Sequence, residues 1–468
     1  MSKGQGRIKY LLKNTMIFTI GNFATKLISF FLVPIYTQAL SASEYGTADL
    51  VTTICTVLAP IVILNIGEAI MRFCLDKNVD AQEALDIALI IYIIAMIVSI
   101  LIFPINSMFT ITSRYSMYIY FYVISLAGSQ ILLCYLRGRE KLVLYSMGNI
   151  LNSLLIALFN ILFLIVLKKG IEGYFCSYIL ASTVTIFYVS FVIKIWNRFR
   201  YIKFNRKLFI NMVKYSIVLI PNTFMWWIMN SSDRIMVTTF LGAAANGIYA
   251  ISYKIPSVVQ TFSNIFNQAW SYSAIKEDDS EDRDEYCNKI FQFVIAISST
   301  SAIFLLLILK PLLKVYVGSN YYSAWEYTPF LILGYVFLTI ATFLATSYTV
   351  HKDSKGYLYS GICGAICNLV LNGILIPLIG VYGAALATCV SYFIVFLYRY
   401  YDTKKYLKIK VFTKKNILVF FNLIFCTLSI FIQNIGFVLL VILLIVNVCL
   451  FKNIYFNMDI LKKIKRKE

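Results

Sequence analysis

Histidine is nearly absent. His351 is the only one in 468 residues, so histidine-built metal sites and Ser-His-Asp chemistry have no raw material. No Gly-x-x-x-x-Gly-Lys-Ser/Thr phosphate loop occurs, which excludes ATP hydrolysis by that route. No cofactor is expected, and any driven process would have to draw on a proton or sodium gradient or on the membrane potential. The ten cysteines lie in or at the edges of apolar runs and have no regular spacing beyond Cys363 and Cys367. They read as buried free thiols. Charge is also scarce, at 14% of residues, where a soluble domain carries about one quarter. Acid is scarcer than base, 22 against 42, for a formal charge of +20. In a soluble protein that excess would suggest nucleic acid as a partner.

What is present is hydrophobic: 60% of the residues, with a mean hydropathy of +0.77. This excludes a secreted disulfide scaffold, a soluble enzyme and a disordered chain. A spanning helix needs about 20 mostly apolar residues. Fourteen such runs are centred near Gly21, Ala59, Ala95, Ala127, Ala157, Ala181, Ile228, Thr261, Ser301, Ile340, Ala365, Val390, Ile424 and Leu443. The last two are separated only around Gln433-Asn434 and Gly436, so the count lies between 12 and 14. With the N-terminus inside, 34 of the 42 basic residues fall in cytoplasmic segments and 5 in external ones. The remaining three, Lys26, Arg234 and Lys254, lie inside hydrophobic runs. Positive residues collect on the cytoplasmic side, so both termini are expected there, and the charge reports orientation and contact with anionic membrane lipids; nucleic acid is not needed. The first run is too long for a cleavable signal peptide and lacks a small-residue cleavage site.

Four segments recur in order at offsets near 200–213. Asn22 followed by Leu40 and Gly46 reappears as Asn222, Leu241 and Gly247, and Gly170-Ile171-Glu172-Gly173 as Gly380-Val381-Tyr382-Gly383. The segment beginning at Tyr135-Leu136-Arg137 returns loosely at Tyr348-Thr349-Val350. An all-α polytopic membrane protein is expected, with two pseudosymmetric six-helix bundles plus two C-terminal helices. The divisions are residues 1–195, a cytoplasmic linker at 196–207, a second bundle at 208–401, and an appended pair with a basic tail at 402–468. Two such bundles should enclose a cavity that rocking exposes to alternate sides of the membrane.

Polar residues at membrane depth concentrate in the first two spans of each repeat. Thr15, Thr19, Asn22, Lys26 and Ser29 share one face of the first span. The second carries Asp49, Thr53, Thr56 and Pro60, then Asn65, Glu68 and Arg72; the seventh carries Asn222, Trp226, Asn230, Asp233 and Arg234. The eighth carries Tyr249, Tyr253, Gln260, Asn264 and Asn267, with Lys254 at its edge. A charge at the bilayer centre costs about 2.5–3.5 kcal/mol, so Lys26, Arg234 and Lys254 should face a wet cavity or a partner. Asp233 and Arg234 also read as residues neutralised by other neighbours, and Glu68 with Arg72, four apart, as a simple helix salt bridge. Asp49, Glu68 and Asp233 are the carboxylates able to bind a coupling ion. A cationic cavity suits an anionic substrate. The acidic loop around Glu277-Asp278-Asp279 reads as merely solvated.

These residues resemble the polysaccharide-repeat-unit (Wzx-type) flippases of the multidrug/oligosaccharidyl-lipid/polysaccharide exporter (MOP) superfamily. The resemblance lies in Lys13-Asn14-Thr15 through Asn22, Phe31-Leu32-Val33-Pro34-Ile35-Tyr36-Thr37, and Glu44-Tyr45-Gly46. It continues in Asp233-Arg234-Ile235-Met236, Tyr253-Lys254-Ile255-Pro256, Asn267-Gln268-Ala269-Trp270 and Gly380-Val381-Tyr382-Gly383. It implies a two-lobed transporter, not an enzyme, that carries a polyprenyl-diphosphate-linked glycan across a bacterial plasma membrane. A polysaccharide polymerase and other assembly proteins would be its partners. Lys26, Arg234 and Lys254 would hold the diphosphate; Asn22, Asn222, Trp226, Trp227, Asn230, Tyr249 and Gln260 would meet the glycan. A cation-coupled multidrug antiporter would favour deep acidic residues instead, and a peptidoglycan-precursor flippase is the other alternative. A membrane glycosyltransferase should show a large polar external loop, and none here exceeds about 15 residues.

Overall fold

Helix boundaries follow local capping chemistry. Ser41 and Glu44 form a reciprocal capping box that starts one helix, and Asp80, Asn205, Asp353 and Thr413 each accept a main-chain N–H at the start of another. The computed structural model describes residues 21–76, 78–101, 113–197, 204–276, 278, 280–433, 435–452 and 454. Among them there is no strand. In chain order the helices are α1 (21–31), α2 (Val33–Ala39), α3 (Ala42–Val62), α4 (Ile66–Cys74), α5 (Ala81–Val98) and α6 (Ser116–Gly138). Then come α7 (Leu142–Asn160), α8 (Gly170–Ile193), α9 (Arg206–Leu241), α10 (Ala243–Ser252) and α11 (Lys254–Lys276). The chain ends with α12 (Arg283–Tyr316), α13 (Thr328–Val350), α14 (Ser354–Ile379), α15 (Val381–Thr403), α16 (Lys414–Ser429) and α17 (Gly436–Leu450). Each of the fourteen expected span centres lies in one of these helices. Among the described residues ten helical segments are long and apolar enough to cross a membrane, and α17 is a shorter apolar helix.

The protein is therefore a multi-pass membrane protein, and its exposed surface agrees. Val143, Met147, Leu154 and Leu158 of α7 and Phe437, Val438, Ile442 and Ile445 of α17 stand exposed, which suits lipid and not water.

The chain forms two compact units: residues up to Thr238 with Gly242–Gly247, and Thr239–Leu241 with everything from Ile248 onward. By packing, α9 thus belongs with the first unit, and the division falls later than the 196–207 linker. The physical reason is a set of hydrogen bonds from α9 to the second span, described below. In the first unit α6 and α8 form the centre, packing against α3, α4 and α7. In the second, α13 is the central helix, with 18 of its 23 residues buried, and α11, α14 and α15 pack around it or its neighbours. The last two helices are not a loose appendage. Asn447 of α17 donates to Ser299 and Thr300 of α12 at 3.0 and 2.8 Å, and Lys310 of α12 donates to the Ile430 carbonyl at 2.7 Å.

Each unit shows the repeat in its turns. Gly170 and Gly380 both adopt left-handed φ, 56° and 64°, at the start of α8 and α15. A Cβ at Gly173 or Gly383 would collide with the preceding helix, at Phe163 or at the Leu375 carbonyl. Within the first unit, Gly46 lies against Ala243 and Gly247 against Ala42, with a common offset of 201 residues. A side chain on either glycine would overlap the opposing carbonyl oxygen. The Asn246 side chain donates to the Gly46 carbonyl at 2.8 Å and closes the contact.

The second span is broken. Leu64 and Asn65 take left-handed φ of 51° and 54° between α3 and α4, one turn after Pro60. Proline supplies no N–H to the helix ladder and kinks it, and the Asn65 N–H caps the Pro60 carbonyl at 2.6 Å. Loops of the second unit are tied by charge. The Gly356 N–H, the Tyr406 hydroxyl and Lys405 hold the Asp353 carboxyl down to about 2. In the acidic loop, Asp278 pairs with Arg283 at 2.9 Å, so that carboxylate is not merely solvated; Glu277 and Asp279 lie outside the described residues.

Candidate functional site

The seventh and second spans meet side by side in the first unit. Thr223, Trp227 and Arg234 recur at spacings of four and seven, one stripe of α9. Thr223 accepts from the Asn65 side chain at 3.3 Å at the break between α3 and α4. The Trp227 indole donates to the Thr53 carbonyl at 3.1 Å. Arg234 Nη1 donates to both oxygens of Asp49, at 3.0 and 3.1 Å, and to the Thr53 hydroxyl at 3.2 Å. Rising numbers on α9 meet falling numbers on α3 and α4, so the two run antiparallel. The Asp49 side chain is 7% exposed and that of Arg234 21%, so the carboxylate is the more deeply buried of the two.

Lys26 of α1 is exposed and lies within electrostatic reach of Arg234. Two cations and two carboxylates, Asp49 and Asp233, therefore lie in this region. Asp233 is buried, and its carboxylate takes the main-chain N–H of Arg234 at 2.9 Å, so the ionic partner found for Arg234 is Asp49 from the second span and not its own neighbour. Behind Asp49 lies a buried tyrosine cluster. Tyr36 stacks on Tyr45 with ring centres 5.8 Å apart and meets Tyr174 edge-on at 5.1 Å. Tyr174 donates to the Tyr178 hydroxyl at 3.2 Å, and Tyr178 is within electrostatic reach of Asp49.

The other expected residues are scattered. Asn22 is exposed on α1, while Thr15, Thr19 and the side chains of Asn222, Trp226 and Asn230 lie outside the described residues. Glu68 is half-buried and forms no ion pair with Arg72 among the described residues; it sits in the first turn of α4 and Arg72 in the last, each complementing the helix dipole instead. In the second unit, Lys254 opens α11 and is half-buried, as is Gln260. Tyr249 is fully buried, and its hydroxyl donates to Tyr253, which donates to Thr388 at 3.2 Å. That packing makes Tyr249 a core residue of the second unit rather than a surface for glycan. Trp227, too, spends its N–H on Thr53.

One deep cation escaped the sequence reading. Arg399, counted among cytoplasmic loop residues, is 2% exposed within α15. Its Nε donates to Ser360 at 3.0 Å, its Nη1 to the Ala341 carbonyl at 3.1 Å, and it lies 5.2 Å from the Tyr357 ring. Among the described residues no cluster of three His, Cys, Asp or Glu could hold a metal ion.

Similarity to known proteins follows the same lines. The fold matches the lipid II flippase MurJ in its inward closed conformation, with a TM-score of 0.65 at 15% identity over 96% of this chain and 100% of that one. It matches an inward-facing multidrug resistance MATE transporter of the MOP superfamily, with a TM-score of 0.58 at 14% identity over 83% and 94%. A MOP superfamily transporter from Pyrococcus furiosus gives a TM-score of 0.53 at 14% identity over 84% and 93%. An uncharacterized membrane protein of Methanocaldococcus jannaschii is 26% identical over 259 residues, 52% of this chain. The chain spans about half the length of that curated relative, 50%. Residues 11–272 match the family described as polysaccharide biosynthesis protein. With more than half its length in that match, the chain belongs to the polysaccharide biosynthesis protein family, and it shares the fold of those transporter structures.

Proposed function

We propose that this protein is a flippase. It moves an oligosaccharide repeat unit, linked through a diphosphate to undecaprenol, from the cytoplasmic to the outer leaflet of a bacterial plasma membrane by alternating access. The product would feed capsule, exopolysaccharide or O-antigen synthesis, with polymerase and other assembly proteins downstream. The observation that carries the reading is an intramembrane Arg234, paired with Asp49 of the second span and within electrostatic reach of Lys26. Cations at that depth are costly unless anionic groups meet them, and a diphosphate is such a group. Lys254 is assigned to the same anionic headgroup, while Asn22, Asn222, Trp226, Asn230 and Gln260 remain the polar and aromatic groups offered to glycan. Asp49, Glu68 and Asp233 are the residues offered for coupling to a proton or sodium gradient. Membrane lipids surround the chain, and both termini are cytoplasmic on the distribution of its basic residues.

A second reading, a peptidoglycan-precursor flippase, is favoured by one observation: the structure named as a lipid II flippase covers 96% of this chain. A strain lacking the gene should accumulate undecaprenyl-linked glycan on the cytoplasmic leaflet. Accumulation of lipid II instead selects the second reading, and accumulation of neither overturns both. Lys26→Ala, Arg234→Ala and Lys254→Ala should each reduce glycan translocation at least tenfold at normal membrane abundance. Unaltered export in all three sinks the cationic site.

A further inference from the structure

A groove in the membrane region lies wholly within the second unit, between α11 and α12. The two helices meet near the turn that joins them: the Ser273 and Tyr286 hydroxyls share a hydrogen bond at 2.9 Å, and the Phe266 and Phe293 rings have centres 6.3 Å apart. Beyond that closed end the helices border a cavity of about 480 Å³, with Thr339 of α13 beneath it. Its walls include Val258, Phe262 and Phe266 of α11 and Phe293, Ile297 and Phe304 of α12. Hydroxyls along it are engaged with protein: Ser298 donates to the Ile295 carbonyl, Thr339 to the Tyr335 carbonyl, and Ser263 accepts from Asn267. From Phe293 to Leu305 the groove runs about 18 Å along α12, more than half of a hydrocarbon core about 30 Å thick.

α11 has a second, opposite face. Val258, Phe262 and Phe266 recur every four residues on the groove stripe, and Gln260, Asn264 and Gln268 do so on another, about 200° around the helix. Asn264 and Gln268 are exposed and Gln260 is half-buried. An exposed amide stripe at membrane depth is costly against hydrocarbon, so it belongs to a wet path, while the apolar stripe belongs to lipid chains. Lys254 precedes Val258 by four residues and Ser257 by three, which puts it at the boundary of the two faces in the first turn of α11.

We propose that the α11–α12 groove holds the polyprenyl chain of the substrate, while the glycan follows the amide stripe on the opposite face and the diphosphate lies at the Lys254 boundary. α11 is then the wall that sorts the two halves of one amphiphile. Both faces together select this occupant. A membrane phospholipid could fill the groove, but it has no head large enough to use the amide stripe; a diphosphate-linked glycan uses both faces and brings the anion that suits Lys254 between them. This rests on the proposed function, because it requires a polyprenyl-linked substrate. The chain is equally apolar in the bilayer, so what the groove adds is close packing against its phenylalanine rings and not removal from water.

The test uses full-length protein in nanodiscs of phosphatidylglycerol and phosphatidylcholine, with N-acetylglucosaminyl diphosphopolyprenol carrying a photoreactive diazirine either in the chain or on the sugar. After illumination, peptide mass spectrometry should find the chain probe on residues 258–266 and 293–305, in excess over the exposed face of α7. Unlabelled N-acetylglucosaminyl diphosphoundecaprenol should displace it there, and added phosphatidylglycerol should not. Ser301→Trp, whose indole would occupy the groove, should cut chain labelling there about fivefold while the sugar probe still labels α11. Chain labelling spread evenly over the lipid-facing helices, displaced equally by phosphatidylglycerol, or unchanged in folded Ser301→Trp overturns this inference and leaves the proposed function standing. If unlabelled lipid diphosphate displaces neither probe from any site on the wild type, the proposed function falls and the inference with it. The wild-type labelling needs no variant to fold.

Discussion

Arg399 illustrates how a single residue can be misread from its position in the chain. Lying among Tyr398, Tyr400 and Tyr401 ahead of a basic stretch, it counts as a loop cation; in the structure its guanidinium joins three helices of the second unit through Ser360, Ala341 and the Tyr357 ring. Both hydrogen-bond acceptors are neutral, so what holds the charge is geometry: a planar fork that reaches two acceptors and packs near an aromatic ring. Arg399→Ala should lower stability by about 3 kcal/mol, since a buried charged hydrogen-bonding group is lost and its acceptors stay behind. Arg399→Lys should recover only part of this, because a point charge cannot serve both acceptors. Thermal unfolding in detergent checks both, and equal melting of the Arg399→Lys variant and wild type would contradict the fork argument. At the same scale, Asp49 gained meaning from a residue 185 positions away, which no local pattern could have supplied.

Helices in this protein are placed by what their ends permit. The starts of α3 and α10 approach to main-chain distance because Gly46 and Gly247 lack side chains, and Asn246 fixes the crossing. Either Gly46→Val or Gly247→Val should cost about 3 kcal/mol, as an overpacked contact with backbone that cannot yield. The expected reading is a lower melting temperature and less folded protein by size-exclusion chromatography. Retention of wild-type stability in both variants would mean the helices part without penalty. The break at Leu64 and Asn65 has a similar logic: Pro60 weakens the ladder, and Asn65 accepts left-handed backbone while its side chain bonds Thr223. This is why a run that reads as one span in the sequence becomes two helices. A broken span supported by its neighbour keeps its polar backbone groups away from lipid.

For the molecule as a whole, the two C-terminal helices are part of the second unit. Asn447 reaches Ser299 and Thr300, and Lys310 both donates to Ile430 and sits 4.0 Å from the Trp325 ring. Truncation after Thr413 should therefore reduce folded, membrane-inserted protein severalfold, measured by fluorescence-detected size exclusion, because polar groups of α12 would then face lipid. Truncated protein with wild-type yield and melting would show that α16 and α17 are dispensable.

Fourteen span centres and the four recurrent segments were legible in the sequence because each is local: hydropathy over about 20 residues, or a short motif that recurs at one offset. The candidate site was legible only as a set of polar residues at improbable depth. Lys26, Asp49 and Arg234 could be singled out by the cost of burying charge, yet nothing in their spacing says that Arg234 pairs with Asp49 or that Tyr249 turns into the core. Hydrophobic periodicity places a residue relative to its own helix axis, and pairing depends on which helices become neighbours. The order of residues alone is enough to establish that this chain crosses a membrane many times and carries a repeat within it. Which charges neutralise one another and where the compact units divide are settled by packing in three dimensions, because those outcomes depend on contacts between segments far apart in the chain.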